Sequence, residues 1–248
     1  MTVGELFAGI GGIGLGLERA GMTVKWAIEN APYAAAVYHK NFPDVEMIEQ
    51  DITTIDFTKL ESVDLLTGGF PCQDISYAGK GAGITGERSG LWKEFWRAIR
   101  VLRPRLVLVE NVPALLSRGL GVVLGDLAAL RYDAEWDCIP AGAVGAPHRR
   151  DRFFLLAYRS GINLESEKVV EMARGPSQQS HRIRSSLEIG AAWKVSEPRM
   201  VGMVHGVSDW VDRAKCIGNA VVPQVAEFIG KRIMEVYEPQ AEQEAQDE

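Results

Sequence analysis

Cysteine is scarce in this chain, and its few copies stand far apart. Cys72, Cys138 and Cys216 are the three in 248 residues. An odd count at wide spacing argues against a disulfide framework and matches no zinc pattern, so no metal site is expected. Long apolar runs are missing too: no stretch of about 18 uncharged apolar residues occurs, and no membrane-spanning helix is expected. The start, Met1-Thr2-Val3-Gly4-Glu5-Leu6-Phe7, lacks the basic and apolar regions of a signal peptide, which predicts a cytoplasmic protein with no membrane partner. An excess of positive charge is also absent. The formal net charge is -6, so contact with nucleic acid would need a local basic surface. Internal repeats are not seen.

What is present is the balance of a folded domain: 46% hydrophobic and 24% charged residues, enough for a sizeable core. Short apolar runs alternate with helical patterns over the first two-thirds. Residues 3–7, 23–28, 45–48, 63–67, 106–109 and 153–157 read as strands. A helix follows the first glycine-rich turn and ends near Gly21, and others span 31–41, 92–102 (stopped by Pro104) and 122–130. Such alternation predicts an α/β fold: a doubly wound, mostly parallel sheet with helices on both faces. Residues 160–205 are polar and aperiodic, and mark a small domain or a long insertion. Order returns at 217–236, with Pro223 near a helix start. Residues 238–248 are acidic and Gln-rich and read as a disordered tail. The division expected is a catalytic domain of 1–158 plus 212–237, a small domain of 159–211, and the tail.

The first strand runs into Phe7-Ala8-Gly9-Ile10-Gly11-Gly12-Ile13-Gly14. Gly9, Gly11 and Gly14 fit G-x-G-x-x-G between a strand and a helix, where glycine lets the backbone turn tightly and approach a nucleotide. Glu29 follows 20 residues after Gly9, where a carboxylate can accept from both ribose hydroxyls. An adenosine-bearing cofactor is implied. A nicotinamide cofactor fits these residues as well as any other.

The fourth strand ends in Gly68-Gly69-Phe70-Pro71-Cys72-Gln73. Carboxyl ends of strands in an open α/β sheet face the ligand crevice, which puts Cys72 beside the cofactor. A free cysteine is more often a small buried hydrophobe, and Cys138 and Cys216 keep that reading. The fifth strand ends in Glu110-Asn111-Val112-Pro113 at the same edge. A thiol and a carboxyl side by side at a cofactor crevice point to covalent catalysis with proton transfer.

Here the chain resembles the DNA cytosine-5 methyltransferase family. Phe7-Ala8-Gly9-Ile10-Gly11 is similar to the family's cofactor loop, Pro71-Cys72-Gln73 to its nucleophile motif, and Glu110-Asn111-Val112 to its acid motif. His148-Arg149-Arg150-Asp151-Arg152 resembles its Q-x-R-x-R motif, with His148 where the family usually has Gln. Gly218-Asn219-Ala220-Val221-Val222-Pro223 resembles its last motif. The resemblance covers residues 3–157 and 214–236, with the five motifs in the family's order.

The resemblance implies a Rossmann-like class I methyltransferase using S-adenosylmethionine on a flipped-out cytosine in double-stranded DNA. Carbon 5 of cytosine is a poor nucleophile until a thiolate adds at carbon 6. Cys72 is assigned that addition, Glu110 an action at ring N3, Arg152 the cytosine O2, and Arg150 the backbone phosphate near the target. Phe7, Ala8, Gly9, Ile10, Gly11 and Gly12 are expected to form the cofactor loop. Asp51 and Ile52 should contact the adenine, Glu29 and Asn30 the ribose and adenine, and Pro71, Leu91, Asn219, Ala220 and Val221 should complete the pocket.

DNA contacts are expected from Gln73, Ser76, Lys80 and Arg88 in a glycine-rich loop that closes over DNA. His148 and Arg149 precede the last strand and are expected to contribute. Arg182 and Arg184 are expected to do so from the small domain, which would read the target sequence. Because alternate residues on a strand share a face, Arg150 and Arg152 are expected to point together into the site. A monomer is expected, with any partner restriction endonuclease acting separately. Competing readings are a tRNA cytosine-5 methyltransferase, a non-catalytic DNA-binding relative, and a nicotinamide-dependent oxidoreductase, which only the glycine loop favours.

Overall fold

The computed structural model describes residues 1–71, 90–160, 212 and 216–247, with side chains to residue 236. Seven strands form one sheet: β1 (Thr2–Leu6), β2 (Thr23–Ile28), β3 (Glu46–Ile48), β4 (Leu65–Gly68), β5 (Leu106–Asn111), β6 (Tyr132–Pro140) and β7 (Asp151–Arg159). Their spatial order is β3-β2-β1-β4-β5-β7-β6. The first five are parallel; β7 lies antiparallel to both β5 and β6. The expected α/β class and mostly parallel sheet are what is found.

Alternate residues explain why the central strands read as continuous apolar runs. Val107 and Val109 enter one core, with Trp26, Phe57, Trp92, Phe95, Phe153 and Leu155. Leu106 and Leu108 enter the other, with Leu17, Tyr38, Phe154, Leu156, Val225 and Ile229. Both faces are covered, so both are mainly apolar.

The helices that cover them are α1 (Gly12–Arg19), α2 (Pro32–Asn41), α3 (Leu91–Leu102), α4 (Leu115–Arg118), α5 (Leu120–Ala129) and α6 (Pro223–Asp247). Helix α3 buries Trp92, Phe95, Ala98 and Ile99, one face of a 3.6-residue period. It ends at Arg103 in a left-handed conformation, just before Pro104. Helices α1 and α6 touch through small residues. A Cβ on Gly16 would lie 2.4 Å from the Pro223 carbonyl, and one on Gly230 2.7 Å from the Ala20 methyl.

Two expectations are corrected. Strand β6 is absent from the sequence reading, because Asp133, Glu135 and Asp137 interrupt its apolar residues. Those carboxylates alternate along an edge strand, where charge discourages further pairing. The acidic segment expected to be disordered has a helical backbone, since α6 continues to Asp247; Ala, Glu and Gln are good helix formers. Residues 161–211, the greater part of the expected small domain, lie outside the described residues. Among the described residues no helix is long and apolar enough to cross a membrane.

Candidate active site

Strand order reverses direction at β1 and β4, and a cavity of about 450 Å³ opens there at the carboxyl ends of the strands. Its first wall is the loop after β1. Phe7 and Gly9 take left-handed conformations, with φ of 53° and 57°. Such a backbone is rare for phenylalanine and ordinary for glycine. A Cβ on Gly9 would meet nothing within 4 Å, so the bare backbone faces open space.

Glu29 fixes this loop from the end of β2. One carboxylate oxygen accepts from Gly9 N and the other from Ala31 N, both at 2.8 Å. Each oxygen has a second lone pair for a ligand. Phe7, Ala8, Gly9, Ile10, Gly12, Glu29, Asn30, Asp51, Ile52, Pro71, Leu91, Asn219, Ala220 and Val221 all line the cavity. The Asp51 carboxylate accepts from Thr53 N and Oγ1, which holds its pKa below the usual value and caps the turn Ile52–Thr54.

Gly11 and Gly14 do not line the cavity. Gly11 ends the turn at φ 84°, and a Cβ there would lie 2.4 Å from the Phe42 ring. Gly14 leaves room for the Glu5 carboxyl, 2.6 Å from where its Cβ would be. The glycine pattern thus has one member at the cavity and two that permit packing beneath it.

The opposite wall carries the acid. Glu110, on β5, is buried and lines the cavity with Arg152, on β7. Arg152 Nε donates to Glu110 Oε1 at 2.9 Å. Burial pushes the Glu110 carboxyl up to about 7, although Arg152 and Arg150 oppose the rise. Desolvation outweighs the ion pair, so both protonation states are accessible near neutral pH. Gly69, at the end of β4, is shaped to this carboxyl: a Cβ there would lie 2.4 Å from Glu110 Oε2. Asn111 ties the two strand ends together. Its Nδ2 donates to the Phe70 carbonyl at 3.1 Å and its Oδ1 accepts from Val112 N at 2.9 Å. The backbone leading into position 72 is thereby anchored next to Glu110.

Arg150 departs from expectation. It precedes β7 with φ 33°, so the strand's alternation does not apply to it. Its guanidinium lies outside the cavity lining and bonds the carbonyls of Gly218 and Ala220. His148 and Arg149 are exposed ahead of β7. Cys216, expected in the core, lines the cavity with Asp212; Cys138 is half-buried on β6, against the core.

Cys72, Gln73, Ser76, Lys80, Arg88, Arg182 and Arg184 lie outside the described residues. The sequence reading gave no role to Gly69 or Asn111. Their neighbours to either side in the motifs were noticed, but their partners are on another strand. Among the described residues no cluster of His, Cys, Asp and Glu is arranged to hold a metal ion.

A doubly wound sheet with an inserted antiparallel strand, and a cavity at its switch point, is the fold of the class I methyltransferases. The family model described as C-5 cytosine-specific DNA methylase matches residues 1–199, and the chain belongs to that family. Members of this family use S-adenosylmethionine.

Among curated relatives, the chain is 36% identical over 207 residues to the type II methyltransferase M.PspPI of Psychrobacter sp.. That match covers 81% of this chain and 49% of the relative. It is 43% identical over 165 residues to M2.BsuMI of Bacillus subtilis, covering 63% and 42%. The chain spans about half the length of these relatives or less. A crystal structure of an Escherichia coli protein, described as a putative DNA modification methyltransferase encoded within a prophage, matches with a TM-score of 0.57 at 28% identity. It covers 66% of this chain and 48% of that one. The Spodoptera frugiperda DNMT2 structure, at 20% identity and TM-score 0.57, shares the fold, over 66% of this chain and 51% of that one.

Proposed function

We propose that this chain methylates carbon 5 of cytosine in double-stranded DNA, through a transient bond between the Cys72 sulfur and carbon 6 of a flipped-out base. One observation carries this reading. The Glu110–Arg152 pair shares a single cavity with the Gly9 loop and Glu29, and Pro71, next to Cys72, is in the same wall. A nucleoside cradle and a proton-active carboxyl are thus within one site.

The residues fit S-adenosylmethionine. The bare Gly9 backbone admits close approach, Glu29 has lone pairs for ribose hydroxyls, and about 450 Å³ suits a ligand of that size. When bound, the cofactor supplies an electrophilic methyl group.

The chain's own residues do the rest. The Cys72 thiolate forms a bond to carbon 6, and the ring's electron pair moves toward carbon 5. Glu110 hydrogen-bonds or protonates N3, and Arg152 holds O2, so the developing charge is met by preorganised partners. Carbon 5 would take the methyl group as the sulfonium's carbon–sulfur bond breaks, with the neutral thioether as leaving group. Loss of the carbon-5 proton to a solvent base returns an electron pair to the ring, and the carbon 6–sulfur bond breaks to release the Cys72 thiolate. Extruding the base costs a few kcal/mol and requires contacts with the emptied duplex. Gln73, Ser76, Lys80 and Arg88 are proposed for this role. His148 and Arg149 are proposed to contact DNA beside the site, which their exposure supports. Residues 159–211, with Arg182 and Arg184, are proposed to read the target. The protein would act as a monomer in the cytoplasm, any cognate endonuclease acting separately.

The test is label transfer from tritiated S-adenosylmethionine to duplex DNA or to tRNA. The expected result is label in DNA, lost in Cys72→Ala. Label only in tRNA would replace the substrate, and none in either would remove the activity. DNA carrying 5-fluorocytosine at the target should trap a covalent complex, since fluorine blocks the final elimination. Turnover of normal DNA without trapping would overturn the covalent route.

A further inference from the structure

Arg150 is committed to an internal contact that the phosphate role does not explain. Its Nη2 donates to the Gly218 carbonyl at 2.6 Å and to the Ala220 carbonyl at 2.7 Å. These carbonyls flank Asn219, and Asn219, Ala220 and Val221 are wall residues of the cavity. The wall continues onto the glycine loop: a Cβ on Gly12 would lie 2.5 Å from the Val221 carbonyl. On its other side, the Ala220 amide bonds the Cys216 carbonyl at 2.9 Å. Arg150 thus fastens the strip 218–220 to the start of β7, where Arg152 meets Glu110.

Its backbone is built for this reach. A φ of 33° is unusual for a non-glycine residue and turns the side chain out of the strand's alternation. One nitrogen serving two carbonyls makes two charge-assisted bonds, stronger than neutral ones. A phosphate recruiting that nitrogen would have to displace both.

We propose that Arg150 is a positioning residue for the cofactor pocket: it holds the 218–220 wall in place and is not a ligand for the DNA backbone. This rests on the reading of the cavity as the S-adenosylmethionine site. A phosphate ligand and a wall clamp predict opposite binding defects, which makes the two roles separable.

The experiment uses the full chain with Arg150→Met and Arg150→Lys. Affinity for S-adenosylhomocysteine is measured by calorimetry without DNA. Affinity for duplex DNA is measured without cofactor over a range of salt. Arg150→Met should weaken the cofactor analogue by about tenfold or more, corresponding to loss of a bond to a charged group. Arg150→Lys, whose ammonium can still serve both carbonyls, should recover most of it. The slope of DNA affinity against salt should be unchanged in both. In turnover, the KM for the cofactor should rise while that for DNA stays put.

A cofactor affinity equal to wild type, with a salt slope reduced by about 0.9, would overturn the proposal in favour of one lost phosphate contact. Equal losses of both affinities with no rescue by lysine would also overturn it, as general damage. Wild-type protein that binds DNA but no analogue would sink the cofactor reading itself, and is recognised before any variant is made.

Discussion

Two regions of the molecule each press a buried carboxyl group against a glycine, and only one of them faces the cavity. Under the loop after β1, Glu5 is fully buried and accepts from Tyr38 Oη at 2.9 Å and Gly14 N at 3.2 Å. At the far wall, Glu110 is paired with Arg152 and packs on Gly69. Burial pushes both carboxyls up to about 7. The shared value comes from the same cause, yet the outcomes differ. Glu5 is enclosed by α1 and α2 and takes neutral donors, so it supports the loop. Glu110 opens on the cavity beside a cation, so its carboxyl is within reach of whatever occupies the cavity. A raised carboxyl therefore identifies burial, and access decides whether chemistry follows.

The largest effect expected is on turnover. Glu110→Gln keeps the volume but removes the exchangeable acid, and single-turnover methyl transfer should fall about 10³-fold. An equal fall in Glu5→Gln would break the comparison.

The next effect is on stability against pH. A carboxyl whose folded pKa is raised to about 7 favours the fold most below about 4.5, its unfolded value. That contribution is lost as pH climbs through 7, because the folded state then holds a desolvated charge. Glu5→Gln, which resembles the protonated form, should remove roughly 3 kcal/mol of this pH dependence. Urea unfolding at pH 4.5, 6 and 8 would measure it. A curve as steep as wild type would mean that Glu5 is not the group titrating.

Smaller still is the effect of filling the glycine contacts. Gly69→Ala puts a methyl group where Glu110 Oε2 lies, and should lower kcat/KM about tenfold, with affinity for S-adenosylhomocysteine retained. Gly14→Ala should instead lower the free energy of urea unfolding by about 1–3 kcal/mol, through displacement of Glu5 and Tyr38. Exchanged phenotypes would sharpen the comparison in the wrong direction and reassign the two sites.

The smallest is Tyr38→Phe. It deletes one hydrogen bond to Glu5, a bond that lowers that carboxyl's pKa, and should cost about 1 kcal/mol in the same unfolding assay at pH 8.

Much of this was legible in the sequence where local pattern and tertiary role coincide. Strands β4 and β5 announce themselves because both faces are covered, so polar residues come only towards their carboxyl ends, at Thr67, Glu110 and Asn111. Glu29 was found because its distance from the glycine loop is fixed by one strand–helix–strand unit. The failures have a common physical origin. Gly14 matches a nucleotide fingerprint, yet its missing side chain makes room for Glu5 on β1, whose other partner, Tyr38, comes from the helix after β2. Arg150 sits in an alternating pattern but one residue before the strand, where a left-handed backbone cancels the alternation. Asn111 and Gly69 act across neighbouring strands. Strand β6 is marked by charge at an edge, which reads locally as a solvated loop.

The packing of α6 on α1 has a consequence for how the site comes into being. Gly12 and Val221, which meet at the cavity, are joined through the whole intervening chain. A nascent polypeptide that has released only residues 1–160 from the ribosome has all seven strands in hand but a cavity with one side missing. This wall is therefore made only after the strands of the sheet, and a separately supplied fragment containing residues 216–236 is the natural piece to restore it in trans.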